Sequence, residues 1–293
     1  MRNRASYRLQ IHLLLVPYGL ALGLLVFAPM LYTLALSFTE YDIFSPPRWI
    51  ALGNFTRLLS DSLFWTALGN SLWFALGTVL LRVAGALLLA LALNRDGRAI
   101  EFARAVIYLP TIMPEVAYAL VWLLILNPGY GPLNLALGAV GLPQFPWLQT
   151  EFTARLSLVV MSGFELGEGF VLLLAALQTI PHELFEASAL DGASRAQTFR
   201  RVIWPLLVPS LLLLAFRDTA LSFYDSFAPS VITTETGPYY ATFFLPNYIF
   251  NKSFGLFQYG YGSAMTVCLY LVGLLLIALQ YGALKRGQAS DEL

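Results

Sequence analysis

Charge is scarce in this sequence. Only 12% of its 293 residues are Asp, Glu, Lys or Arg, against about 25% in an average soluble domain, which excludes an ordinary water-soluble globule. Acidic and basic residues number 17 each, so no global field of one sign points to nucleic acid as a partner. Cysteine is nearly missing: Cys268 is alone, which excludes an intrachain disulfide and leaves too few thiols for a cysteine metal site. It lies in an apolar stretch and reads as a small buried or lipid-facing side chain. Neither histidine, His12 or His182, stands in a metal-ligand or triad spacing, so an enzyme has little to stand on. There is no G-x-x-x-x-G-K-[ST] phosphate loop, and thus no P-loop nucleotide site on this chain. Repeats of solenoid period and low-complexity tracts are also missing.

What the sequence has instead is apolar length, with 58% hydrophobic residues. Taking about 20 apolar residues as the requirement for crossing a bilayer, spans are expected at 11–38, 64–93, 103–126, 154–178, 203–222 and 262–284. The first run is too long for a signal-peptide core and is expected to stay as the first helix. The fold class is therefore an all-α membrane protein with six transmembrane helices in a single domain, 1–293, and both termini on one side. The positive-inside rule chooses that side. A cytoplasmic N-terminus gathers Arg2, Arg4, Arg8, Arg95, Arg98, Arg104, Arg195, Arg200, Arg201, Lys285 and Arg286 inside, and leaves Arg48, Arg57, Arg155 and Lys252 outside. Of the outer loops, 40–63 is expected to be ordered and 127–153 to carry a short helix at LNLALGAV; the tail 287–293, on the side of the termini, is expected to be disordered.

One cytoplasmic segment is polar and patterned as helix, turn, helix. Pro181 suits a first turn, and Glu183 and Glu186 place negative charge near its positive end. Asp191-Gly192 stops that helix. Ser194 and Gln197 have capping-box spacing, and Phe199, Val202, Ile203 and Leu206 fall on one face of a second helix. The string Glu186-Ala187-Ser188-Ala189-Leu190-Asp191-Gly192-Ala193, followed by Phe199, Pro205 and Pro209, resembles the EAA loop of permease subunits in binding-protein-dependent ABC sugar importers. Gly131 to Asn134, Tyr224-Asp225, Thr236-Gly237-Pro238 and Gly260 to Ala264 are similar to further motifs of those sugar permeases, in the same order. The turn departs at Thr234-Glu235-Thr236, where that family has more glycine. The resemblance implies a coupling loop at about 181–204, between helices 4 and 5, that docks on a cytoplasmic ATPase. Glu186 would make a polar contact, Gly192 the turn, and Phe199 the packing of the finger, with Ala187, Asp191 and Ala193 completing the motif. It also implies a second homologous permease, two ATPase copies holding ATP and Mg, an extracytoplasmic solute-binding protein, no cofactor on this chain, and a bacterial or archaeal cytoplasmic membrane.

Ionisable groups inside spans are costly and mark function or pairing. At ~1.5 Å per residue, Glu115, Glu165 and Glu168 come out near the bilayer midplane. Glu165 and Glu168, three apart in GFELGEGF, are expected to share a helix face and, as hydroxyl-accepting carboxylates, to suit a sugar or polyol. The competing expectation is that they bond neighbouring helices or pair with Arg82. Arg217-Asp218 reads as an outer-gate or interhelix ion pair. Tyr224 and Asp225 join the substrate candidates through the sugar-permease motif, against an aromatic-belt reading for the tyrosine. The resulting expectation is an ABC importer subunit for a di- or oligosaccharide or related polyol. Glycerol phosphate is an alternative substrate, and an ion-coupled transporter using the membrane carboxylates is an alternative mechanism.

Overall fold

The computed structural model describes the backbone from Arg4 to Asp291 and side chains from Leu13 to Ala283. Arg2, and the side chains of Arg4, Arg8, His12, Lys285 and Arg286, lie outside the described residues. In chain order the elements begin with α1 (Arg4–Leu22), which passes through a π turn (Gly23–Phe27) into α2 (Ala28–Leu36). Then come β1 (Thr39–Glu40), β2 (Arg48–Trp49), α3 (Gly53–Ser60), α4 (Ser62–Ala92), α5 (Arg98–Tyr108), α6 (Glu115–Ile125) and α7 (Pro132–Ala139). The remainder is α8 (Glu151–Gly163), α9 (Gly167–Gln178), α10 (His182–Leu190), α11 (Arg195–Thr198), α12 (Trp204–Asp225), α13 (Phe227–Pro229), α14 (Leu245–Phe250) and α15 (Tyr259–Asp291).

Among the described residues, four stretches are long and apolar enough to cross a membrane, and six if each of two bent pairs counts as one span. The bent pairs correct the straight third and fourth spans expected above. The helix through 103–126 is bent by 106° between Ile112 and Glu115, and that through 154–178 by 46° between Gly163 and Gly167. Pro114 accounts for the first break, since the residue before a proline is pushed out of helical backbone; Met113 is extended, with ψ 138. Proline also shapes the fifth span. Pro205 has no N–H to donate, and the segment before it, Phe199–Ile203, widens to a π-helix in which the Trp204 N–H reaches Phe199 O. At the other end, helix α15 runs on to Asp291, where a disordered tail was expected from Gly287.

The chain separates into two compact units, the first of 1–62 with 248–271 and the second of 63–247 with 272–293. Residues 40–63, all but the last of them in the first unit, are ordered as expected. Thr39 pairs with Trp49 and Glu40 with Arg48 across a short antiparallel ladder. Asn54 of α3 ties it down by donating to the carbonyls of Ser37 and Thr39, at 2.9 and 2.8 Å. Asp61 accepts from the hydroxyls of Tyr248 and Tyr261, at 2.7 and 2.6 Å.

In the second unit two apolar clusters bracket α4. Ala86 and Ala90 pack with Phe170, Leu173 and Leu177 of α9 and with Leu207, Leu211 and Leu214 of α12. Phe74 packs with Tyr118, Ala119 and Trp122 of α6 and with Leu158 and Met161 of α8. Glycine permits the approach at Gly169, where a Cβ would come within 2.9 Å of Leu214 and 3.4 Å of Ala86. Lipid is as apolar as leucine, so small residues at such crossings do much to hold membrane helices together. The short helix expected in 127–153 is present as α7. The glycine-poor turn is left-handed at Glu235 and Thr236 (φ 49 and 68), a conformation that costs non-glycine residues about 1–2 kcal/mol each. Hydrogen bonds hold it there, including Thr242 Oγ1 to Gly237 O at 2.6 Å and Ser230 Oγ to Thr242 O at 2.6 Å.

Candidate functional site

Asn70, Phe74, Thr78 and Arg82 recur every fourth residue on α4, and all four are buried, forming one interior stripe. At its end the guanidinium of Arg82, 6% exposed, fastens three elements together. Nε donates to Ser162 O of α8 at 2.7 Å, Nη2 to Glu165 Oε2 in the bend at 3.0 Å, and Nη1 to Asp225 Oδ2 at the end of α12 at 2.8 Å. A planar fork of donors suits such multiple engagement, which a lysine could not reproduce. A second arginine, Arg217 of α12, pairs with Glu168 of α9 and with Asp218, the latter at 3.1 Å.

Glu165 and Glu168 therefore do not share a helix face. Glu165 sits in the break after α8 and Glu168 in the first turn of α9, and each meets a different arginine. The bend is the physical reason, because it replaces the single helix on which their spacing was counted. Pairing with Arg82 holds for Glu165, and Arg217 does form an interhelix pair. Glu115 opens α6 directly after the other break, within electrostatic reach of Asp225 and Glu165, and its Oε1 is buried without a hydrogen-bond partner among the described residues. Tyr224 is 70% exposed. Both Glu115 and Glu168 lie in the first turn of a helix, where the positive end of the helix dipole stabilises a carboxylate. Sequence reasoning did not find Thr78 or the Ser162 carbonyl. The four-residue spacing back from Arg82 was the available signal for Thr78; a backbone acceptor left none.

The second locus is the hairpin of α10 and α11. Gly192 has φ +69, the left-handed turn expected of it. Its N–H donates to Ala189 O at 3.1 Å, and the Ala193 N–H to Ser188 O at 3.0 Å, which closes the helix end. The capping box also forms, with Ser194 N donating to Gln197 Oε1 at 2.7 Å and Gln197 N to Ser194 Oγ at 3.4 Å. Ser188 and Thr198 hydroxyls bridge the two helices at 3.2 Å. Neither helix has a buried residue, and Leu190 at the tip is 90% exposed. Glu186, Ala187, Asp191, Gly192 and Ala193 thus lie on or beside a braced, protruding corner, with Phe199 starting the π turn and its ring 6.1 Å from that of Trp204.

A third feature belongs to the first unit: an open basin of about 1210 Å³ lined by Tyr41, Asp42, Arg48, Arg57, Gln258 and Tyr261, among others. The Ser45 hydroxyl and N–H donate to Asp42 and hold its carboxyl below the ordinary value. Burial, with Asp61 accepting its hydroxyl, pushes the Tyr248 phenol up.

Residues 82–289 match the family model described as binding-protein-dependent transport system inner membrane component. The chain belongs to this family. Among relatives of this transport component is a probable ABC transporter permease protein, YesP, of Bacillus subtilis, 35% identical over 88% of this chain and 85% of that protein. The sn-glycerol-3-phosphate transport system permease protein UgpA of Brucella abortus is 31% identical over 92% of each. The trehalose/maltose transport system permease protein MalF of Thermococcus litoralis is 29% identical over 94% of each. A crystal structure of a bacterial ABC transporter that imports alginate contains a chain with the same fold, with TM-score 0.80 at 22% identity over 96% of both chains. Relatives of this component are thus transport subunits. Several have carbohydrate or glycerol phosphate in their names.

Proposed function

We propose that this chain is the membrane-spanning permease domain of an ATP-driven ABC importer that moves a di- or oligosaccharide, or a related polyol, across a bacterial or archaeal cytoplasmic membrane. The observation that carries the reading is the exposed hairpin built on Gly192, in a chain of this family. A braced corner with no buried residues has the form of a surface that another protein grips. On this reading six spans place both termini and the hairpin in the cytoplasm. There Glu186, Ala187, Asp191, Ala193 and Phe199 engage one of two ATPase copies, which hold the ATP and Mg. A second, homologous permease completes the pathway, and an external binding protein delivers the solute. The alginate importer has also been crystallised with its periplasmic protein bound to an alginate pentasaccharide, which supports delivery of this kind. Glu115, Glu165, Glu168, Tyr224 and Asp225 are the substrate candidates on this chain. Glycerol phosphate is the second reading, favoured by the UgpA relative.

The test is ATP hydrolysis by the assembled complex in lipid, with and without binding protein and a sugar panel, for wild type and Gly192→Pro. Proline cannot take the positive φ at this position and lacks the N–H that Ala189 receives. The expected result is solute-stimulated hydrolysis in wild type and loss of that stimulation in the variant while the complex stays assembled. Failure of the chain to bind any ATPase, with solute moving instead on a proton gradient, would sink the reading.

A further inference from the structure

An apolar rim, all of it within the first unit, surrounds the start of the last span. Helix α15 opens at Tyr259, where the last apolar stretch begins. Ahead of it the chain runs through α14 and a π turn (Asn251–Gly255), which leave Phe250 and Phe254 51% and 59% exposed. Their rings lie 5.2 Å apart, and that of Phe254 is 5.9 Å from Tyr259. Leu256 and Phe257 are exposed beside them. The loop after the first span completes the rim: Tyr41 meets Tyr259 at 5.9 Å, and Phe44 meets Phe257 edge-on at 5.5 Å.

The backbone holds Phe44 out. Asp42 Oδ1 accepts from the Phe44 and Ser45 N–H groups and from the Ser45 hydroxyl, at 3.1, 2.9 and 2.7 Å. The turn so fixed carries Ile43 at φ 68, an outlying conformation for a β-branched residue, which persists only where its surroundings enforce it. At its tip Phe44 is 79% exposed and Ile43 54%. Contiguous apolar surface of this kind marks a contact with membrane or with protein.

The neighbouring spans decide between the two. Strand β1 starts at Thr39, just after the first apolar stretch ends at Leu36. Its backbone is clamped to the start of the last stretch: the Gly260 N–H donates to Tyr41 O at 3.2 Å, and a Cβ on Gly260 would collide with Thr39 O. Phe257 precedes Tyr259 by no more than about 7 Å of chain. The Phe44–Phe257 pair therefore lies where hydrocarbon gives way to headgroups, a layer about 5–7 Å deep on each side. A bilayer is present at that level all round a span, and apolar and aromatic side chains on otherwise polar segments settle there.

We propose that the Ile43–Phe44 tip and the Phe250–Phe254 face form an interfacial anchor seated in the headgroup layer of the bilayer. The proposal goes beyond the importer reading and rests only on the first and last apolar stretches crossing the membrane. On the six-span reading this is the outer leaflet.

The complete importer, carrying Cys268→Ala, is reconstituted in phosphatidylcholine vesicles with a bimane fluorophore on Phe44→Cys, on Phe254→Cys or, for reference, on Leu24→Cys in the first span. Phospholipids brominated near the glycerol end or near the methyl end of their chains report depth by quenching, and iodide reports water. At 44 and 254 the shallow bromines should quench more than the deep ones and iodide less than it quenches free bimane, which places both labels about 5–10 Å into the headgroup and acyl boundary. At 24 the deep bromines should quench more. Iodide quenching at 44 and 254 equal to that of free bimane means that the rim faces water and overturns the proposal. Protection from both quenchers means that another protein covers the rim, and overturns it equally. Strong iodide quenching at 24 refutes the spanning reading instead. Should Phe44→Cys not assemble, Phe254→Cys, on a separate element, carries the test.

Discussion

Arg82 joins α4 to α8, to the bend after it and to the end of α12. It is almost completely buried and satisfies two carboxylates and one carbonyl on other elements. Removing one partner of a buried ion pair costs about 3–5 kcal/mol, chiefly by leaving the other charge uncompensated. Arg82→Met should therefore lower the melting transition of the purified complex sharply. Combining it with Glu165→Gln and Asp225→Asn should recover much of the loss, because no uncompensated charge then remains. Thermal unfolding of the single and triple variants checks both halves; an Arg82→Met protein as stable as wild type would remove the staple from the account.

Between elements, α9 fits closely where Gly169 faces α4 and α12. A Cβ there already presses on Leu214. Larger side chains in a filled core cost about 1–3 kcal/mol, so Gly169→Val should destabilise by that amount in a denaturation series, and Gly169→Ala by less. Local chemistry also explains which elements the sequence disclosed. The α10–α11 hairpin was legible because Pro181, Gly192 and the Ser194–Gln197 box each act within one turn. The bends were not, since hydropathy counts apolar residues without regard to direction, and the spans at 103–126 and 154–178 are apolar straight through them. Pro110 and Pro114 offered a signal for the first bend. The second has no proline, only Gly163 and Gly167 around it, and the contact made there, Arg82 to Glu165, comes from a helix some 80 positions earlier in the chain. The candidate site was legible as a set of residue types but not as a set of partners, because each of its interhelical pairings is non-local.

At the scale of the molecule, burial and charge are distributed very unevenly over the apolar stretches. The 31-residue α4 is 33% buried over its apolar window and carries the stripe that ends in Arg82, whereas none of the window in Leu13–Leu36 is buried. Within the described chain nothing covers that window, so length and hydropathy are the requirements placed on it. A substitution outside special features stays within about 0.5 kcal/mol. In a saturation library selected for transport, apolar exchanges across 13–36 should survive almost indiscriminately while Arg82 and Gly192 tolerate next to nothing. A library in which the first helix proved as intolerant as α4 would show that it has a protein neighbour. The consequence concerns ancestry: substitutions across 13–36 should accumulate independently of one another, whereas changes on α4, α9 and α12, which pack together, should arrive in compensating sets.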